Sequence, residues 1–187
     1  MSEPSDALSR HTDYGTIALE EGSLSTDPIA QFREWLDEAD EAGIYEPNAM
    51  VISTIDPDGD PTSRTVLLRG VSEEGFAFYT DYTSQKGRAL LANPAIAAVF
   101  PWYPLHRQIK IRGVARTVSA EDSDAYFATR PRDSRVGAWA SDQSQPIASR
   151  SALEDKVSQM EQKFEGVDDV PRPEKWGGFL IQPHSIE

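Results

Sequence analysis

Six short β-rich runs, each bounded by turn chemistry or by a capped helical segment, divide the chain between residues 49 and 183. AMVISTI (49–55) and TSRTVLLRG (62–70) flank the turn DPDGD (56–60), and GFAFYT (75–80) follows the turn Ser72-Glu73-Glu74-Gly75. AIAAVFPW (95–102) reads as a buried strand, RQIKIRGVARTV (107–118) alternates apolar and polar as a strand with one wet face does, and WGGFLIQP (176–183) comes last. The first three read as an antiparallel meander. Short strands in hairpins, with helices inserted between them, predict a mainly β, α+β chain whose antiparallel sheet rolls into a small barrel.

The helical segments carry their own punctuation. Asp27-Pro28 supplies an N-cap and a proline at the first helical position, Phe32, Trp35, Leu36 and Ala39 follow at helical spacing, and Gly43 ends the run. SQKGRALLAN (84–93) reads as a short helix ended by Asn93-Pro94, and SAEDSDAYFATR (119–130) as a serine-capped helix running to Pro131. A further helix is expected over 151–164, where Ser151 and Glu154 have capping-box spacing, followed by a loop over 167–175. Residues 1–25 are polar and aperiodic and read as a flexible N-terminal arm, leaving 26–187 as one domain.

The composition excludes several function classes. The 187 residues contain no cysteine, which rules out a disulfide scaffold, a thiolate metal site and a cysteine nucleophile. His11, His106 and His184 show no ligand spacing, so no metal is expected. No apolar stretch is long enough to span a membrane and the N-terminus lacks the order of a secretory signal, so a soluble cytoplasmic protein is expected. A net charge of −13 argues against nucleic acid and anionic membranes as partners. Yet residues 62–135 carry eleven basic and seven acidic side chains. Alternating Arg and Lys mark the wet faces of strands in many proteins; a basic middle in an acidic chain equally suits a local site for a small phosphorylated ligand.

The basic and hydroxyl residues cluster where strands and helices end. Arg64 and Arg69 bracket an apolar run, and on a regular strand they would face opposite sides. Tyr79, Thr80 and Lys86 gather at a strand end and the following helix start, which suits an anion. Tyr126, Arg130, Arg132 and Ser134 lie around a helix end, and QSQPIASR (143–150) adds amides and hydroxyls.

In order, RTVLLRG, FAFYTDYTSQKGR, NPAIAAVFPW, RQIKIRGVA, YFATRPRDSRVGAWAS, QSQPIASR and VPRPEKWGGF resemble the pyridoxine/pyridoxamine 5'-phosphate oxidase family. The resemblance runs from about Tyr14 to the last residue. It implies an FMN-binding split β-barrel that forms a homodimer with FMN at the subunit interface. It also implies oxidation of pyridoxine 5'-phosphate or pyridoxamine 5'-phosphate to pyridoxal 5'-phosphate, with O2 as electron acceptor and H2O2 as product. Arg64, Thr65, Val66, Leu67, Leu68 and Arg69 match the family's flavin-binding strand, whose last position also reaches the substrate phosphate. Tyr79, Thr80, Gln85, Lys86, Gln108, Gln143 and Ser144 match further flavin positions; Tyr126, Arg130 and Ser134 match the substrate-phosphate clamp, and Tyr14 a residue that covers the substrate.

The chain departs from the family pattern at several places. Arg69 stands where many members carry lysine, Gln85 where arginine is usual, and Glu46 where aspartate is frequent. HTDY (11–14) replaces an Arg-x-x-Tyr segment. The family's C-terminal Phe-Trp-Gln-Gly and Arg-Leu-His-Asp-Arg motifs do not follow Ile186-Glu187: either the sequence is cut short there, or part of the family's usual site is lacking, in which case ligand contacts and activity are expected to fall. Two other functions remain consistent with the residues: a non-catalytic FMN- or pyridoxal-phosphate-binding dimer, and another flavin- or deazaflavin-dependent reductase on the same barrel.

Overall fold

Asp27 opens the first helix as its chemistry requires: the side chain accepts a hydrogen bond from Ile29 N at 2.9 Å, with Pro28 at the first helical position. A computed structural model describes residues 19–187; Tyr14, HTDY and most of the expected arm lie outside the described residues. Helix α1 (Pro28–Glu41) buries Ile29, Phe32 and Ala39. The Phe32 ring meets Phe76 at 4.8 Å and Phe100 at 4.9 Å between centroids, both edge-on.

Seven strands form one antiparallel sheet: β1 (Ala49–Ile55), β2 (Pro61–Leu67), β3 (Gly70–Ser72), β4 (Gly75–Asp81), β5 (Ala95–Trp102), β6 (Arg107–Thr117) and β7 (Trp176–Ile186). Their order across the sheet is β2-β1-β5-β6-β7-β4-β3. The two edge strands, β2 and β3, are thus consecutive in the chain, joined only by Leu68 and Arg69. Laid flat, six strand spacings would separate those edges by about 29 Å. The step from Leu67 to Gly70 reaches at most about 11 Å. The sheet therefore curls until its edges approach, which makes it an antiparallel split barrel. At the seam Leu68 N donates to Asn48 O at 2.8 Å beside β1, and Arg69 N donates to Ala77 O at 2.8 Å on β4.

Alternate residues fill the interior: Met50 and Ile52, Phe76 and Phe78, Ala98 and Phe100, Ile109 and Ile111, Phe179 and Ile181 are all buried. Four more helices lie in the connections: α2 (Gln85–Ala92), α3 (Ala120–Ala128), α4 (Arg132–Ala140) and α5 (Arg150–Lys163). Ser84 and Ser119 cap α2 and α3 by accepting from Gly87 N and Asp122 N.

Several sequence expectations need correction. β4 pairs with β3 and β7, not with β2, so the first three runs do not form a meander. The run 62–70 is not one strand; it breaks at the seam, and its last residue, Gly70, begins β3. Helix α4 was not anticipated, since Pro131 at its start offers no side-chain cap. The cap of α5 is Ser149, which accepts from Ala152 N at 3.0 Å, while Glu154 pairs with Arg150 rather than closing a box on Ser151. β7 runs on past Pro183, because the ladder shifts register between Arg112 and Gly113 there and a bulge tolerates a missing N–H.

Candidate functional site

A cleft of about 280 Å³ opens at the seam where the sheet closes. The end of β2 supplies Thr65, Val66 and Leu67, the crossing supplies Arg69, and β4 supplies Tyr79 and Thr80. Lys86 enters from the first turn of α2, Tyr126 from α3, Arg130 from just beyond it, Gln143 from the α4–α5 loop, and Trp176 from the start of β7. Residues scattered over more than a hundred positions thus share one wall because the barrel brings both sheet edges together.

One end of the cleft is built around a buried ammonium. Lys86 is 9% exposed, and its Nζ donates to Thr80 Oγ1 at 3.1 Å and to Gln143 Oε1 at 2.6 Å. Thr80 Oγ1 also donates to Gln143 Oε1, at 3.0 Å. Burial, with a smaller push from the Arg64 charge, lowers the Lys86 pKa to about 8, against a weaker pull from Asp81. The Asp81 carboxylate is otherwise engaged, accepting from Thr83 N at 2.7 Å and Thr83 Oγ1 at 2.6 Å and lying 3.4 Å from Lys175 Nζ. Arg64 donates to Thr54 Oγ1 at 2.8 Å, Thr62 O at 2.9 Å and Thr62 Oγ1 at 2.6 Å, and burial lowers its pKa.

The other end is aromatic. The Tyr79 ring stacks on Tyr126 at 3.9 Å and on Trp176 at 5.5 Å, and Phe127 meets Trp176 edge-on at 4.9 Å. Gly178 permits this stack, since a Cβ there would come within 2.7 Å of Tyr79 Cε1 and Val118 Cγ2. Arg130 lies against the wall, its Cζ 4.7 Å from the Trp176 ring centre and 5.5 Å from that of Phe127. Its Nη1 is buried with no hydrogen-bond partner among the described residues. Burial lowers the Arg130 pKa; the nearby Tyr126 hydroxyl opposes that shift and the Arg69 charge adds to it.

Among the described residues, Arg64, Arg69, Lys86 and Arg130 form no ion pair with a carboxylate. Four cations left unneutralised in a chain of net charge −13, one with an orphaned buried N–H, make a donor set suited to phosphate groups.

Of the residues singled out from the sequence, ten line this cleft: Thr65, Val66, Leu67, Arg69, Tyr79, Thr80, Lys86, Tyr126, Arg130 and Gln143. Arg64 is half-buried behind Lys86, on the strand face opposite to Thr65. Leu68 is in the core. Gln85 is exposed on α2, Ser134 is half-buried on α4, and Ser144 is exposed with a left-handed backbone, φ 68°. Gln108 is exposed on the outer face of β6, beside Ile109, which is buried on the opposite face. Glu46 is exposed, with φ 48°, and lines no part of the cleft. Trp176 is a cleft residue to which the sequence reading gives no site role; the signal was the Trp-Gly-Gly-Phe motif, read there as a strand start and as part of the family resemblance. Among the described residues no group of three or more His, Asp or Glu side chains is placed to hold a metal, and no helix is long and apolar enough to cross a membrane.

Comparison with known proteins gives a consistent result. A family model described as "Pyridoxamine 5'-phosphate oxidase" matches residues 36–164. A pyridoxine/pyridoxamine 5'-phosphate oxidase of Rubrobacter xylanophilus is 50% identical over 182 residues, covering 97% of this chain and 83% of the relative. One from Gloeothece citriformis is 49% identical over 175 residues, covering 94% and 81%. Among solved structures, PhzG from Burkholderia lata in complex with tetrahydrophenazine-1-carboxylic acid superposes with a TM-score of 0.84 at 28% identity, covering 92% of this chain and 84% of that one. A pyridoxamine 5'-phosphate oxidase-related, FMN-binding protein from Nostoc punctiforme shares the fold, with a TM-score of 0.67 at 17% identity, over 87% and 84% of the two chains.

Proposed function

Since the chain belongs to the pyridoxamine 5'-phosphate oxidase family, we propose that it binds FMN and oxidises pyridoxine 5'-phosphate or pyridoxamine 5'-phosphate to pyridoxal 5'-phosphate, with O2 as acceptor and H2O2 as product. The observation that carries this reading is a cleft with two cationic ends, Lys86 with Arg64 near it and Arg69 with Arg130, none of them paired with a carboxylate among the described residues. Two phosphorylated ligands side by side call for two such seats. When bound, the flavin would supply the redox chemistry, a two-electron oxidation of the vitamer with O2 as the final acceptor.

The chain's own residues bind and orient. Lys86 and Arg64, with the hydroxyl of Thr80, hold the flavin phosphate, and the strand end Thr65–Leu67 offers backbone groups beside it. Arg130 directs its Nη1 donor to the substrate phosphate, Arg69 adds a second guanidinium fork, and Tyr126 and Ser134 complete the clamp. The closely stacked Tyr79 and Tyr126 rings give the cleft a flat wall that sheds water from a planar ring.

The active species in this reading is a homodimer. On the outer face of the barrel Val51 lies beside Val99 and Ser53 beside Ala97, all half-buried in the single chain. Gln108, paired with Pro101, stands on the same face. A second copy covering this patch would bring Gln108 to a flavin that its own cleft does not let it reach.

The test is a visible spectrum of the purified protein, then addition of pyridoxamine 5'-phosphate in air with a peroxide assay. Flavin absorbance with stoichiometric peroxide is expected. A yellow protein that yields no peroxide from either vitamer overturns the oxidase reading in favour of a ligand-binding dimer. Turnover of a nicotinamide- or deazaflavin-linked substrate instead overturns it in favour of a reductase.

A further inference from the structure

We propose that Trp176 is a positioning residue for the substrate phosphate, holding the Arg130 guanidinium against its indole face without neutralising it. The inference rests on the oxidase reading above and adds a residue to it.

Two other arginines with little side-chain exposure are held by carboxylates. Arg135 and Arg172 each have a side chain 12% exposed, and they pair with Asp169 at 2.9 Å and Asp124 at 2.7 Å. Arg130 has no such partner among the described residues; the groups against it are the Trp176 and Phe127 rings. The difference matters chemically. A carboxylate would cancel the charge and occupy the N–H groups. A ring face attracts the cation through its quadrupole and leaves the N–H donors at the edge of the guanidinium free for an incoming anion. The buried Arg130 Nη1 has no hydrogen-bond partner among the described residues; Arg135 Nε is likewise unpartnered, but both of its terminal nitrogens are taken, by the Asp169 carboxylate and the Asp168 carbonyl.

Trp176 is itself firmly seated. Its N donates to Pro173 O at 2.9 Å, its O accepts from Arg172 Nη1 at 2.6 Å, and its ring lies parallel to that of Tyr126 at 6.1 Å. Arg172 also donates to Asp124 on α3, so the helix bearing Tyr126 and the strand bearing Trp176 are tied together on the side of Arg130. The guanidinium thus meets a surface that does not move, and little ordering remains to be done when phosphate arrives.

The test compares Trp176→Leu and Trp176→Phe, each alone and in an Arg130→Ala background. Trp176→Leu should raise KM for pyridoxamine 5'-phosphate about tenfold, with a parallel rise in the inhibition constant of inorganic phosphate. Its kcat and FMN content per chain should hold to within about twofold, and Trp176→Phe should recover most of the loss. In the Arg130→Ala background neither substitution should raise KM further, because Trp176 acts through Arg130. An unchanged KM in Trp176→Leu, additive losses in the double variant, or loss of flavin overturns the proposal. Should Trp176→Leu not fold, Trp176→Phe with and without Arg130→Ala supplies the same comparison. If the wild-type protein gives no peroxide, the oxidase reading falls by itself. The thermal shift induced by inorganic phosphate, present in wild type and lost in both Trp176→Leu and Arg130→Ala, then tests the positioning separately; a shift retained in Trp176→Leu overturns it.

Discussion

Lys86 Nζ donates to Gln143 Oε1 across 2.6 Å, joining residues 57 positions apart in the chain. A carboxamide oxygen is thereby the acceptor for a buried ammonium that no carboxylate pairs among the described residues. A neutral acceptor offsets desolvation less than an anion does, which is why the ammonium is held only weakly in its charged form.

That weakness has two opposite pH signatures. With its pKa lowered to about 8, Lys86 loses its proton in the ligand-free protein as pH rises through that value, so affinity for FMN should fall above pH 8. The limiting slope is about tenfold per pH unit. The unfolded chain keeps this proton up to the ordinary value of 10.5, so between 8 and 10.5 it binds more protons than the folded one. In that window the Lys86 contribution to the stability of the ligand-free protein therefore rises with pH. Flavin-fluorescence titrations across pH 7–9.5, beside urea unfolding of the apoprotein, check both slopes; Lys86→Met should weaken binding and flatten both.

Arg130→Ala should raise KM for the phosphorylated vitamer by at least about thirtyfold, since truncating a buried charged contact costs about 2–5 kcal/mol. Flavin content should stay at the wild-type ratio. Absorbance at the flavin maximum per mole of protein, measured beside the kinetics, decides the matter; a colourless variant would assign Arg130 to the cofactor instead.

Gln85 is exposed at the first turn of α2, one residue before Lys86. Gln85→Arg should tighten FMN binding only modestly, by about 1 kcal/mol or roughly fivefold at low ionic strength, and the gain should vanish near 1 M salt. Flavin dissociation constants at two salt concentrations are the measurement. A gain that survives high salt would show that this position is desolvated in the working assembly.

Two glycines should respond oppositely to the same change. A Cβ at Gly178 would press on Tyr79 and Val118 at 2.7 Å, so Gly178→Ala should cost about 1–3 kcal/mol. Gly137, inside α4, has nothing within 4 Å of its would-be Cβ, and Gly137→Ala should stabilise by about 0.5–1 kcal/mol. Urea midpoints of the two variants give the contrast.

Features whose cause lies within three or four residues were legible in the sequence. Asp27 and Ser119 cap their helices because the donors they satisfy are their immediate successors. Pairing across the sheet was not legible: nothing inside the run 62–70 marks Leu68 and Arg69 as a bridge between opposite edges, and local pairing with β4 looked equally good. Helix α4 lacks a side-chain cap and was passed over for that reason. The cationic half of the cleft was readable because Arg and Lys stand out in an acidic chain. The Trp176 wall was not, since an aromatic stack of residues 79, 126 and 176 exists only once α3 lies across β4 and β7.

The two-residue crossing at the seam has a consequence for how such chains can diverge. Hairpin tips such as Asp56–Asp60 can lengthen or shorten, and the loops around α5 can be rebuilt, without disturbing the frame. One residue inserted between Leu67 and Gly70 would slacken the covalent strap that joins the two margins of the sheet, and would carry Arg69 away from its post in the same stroke. Closure of the scaffold and readiness for a guest are set by a single length of backbone, so drift there is penalised twice.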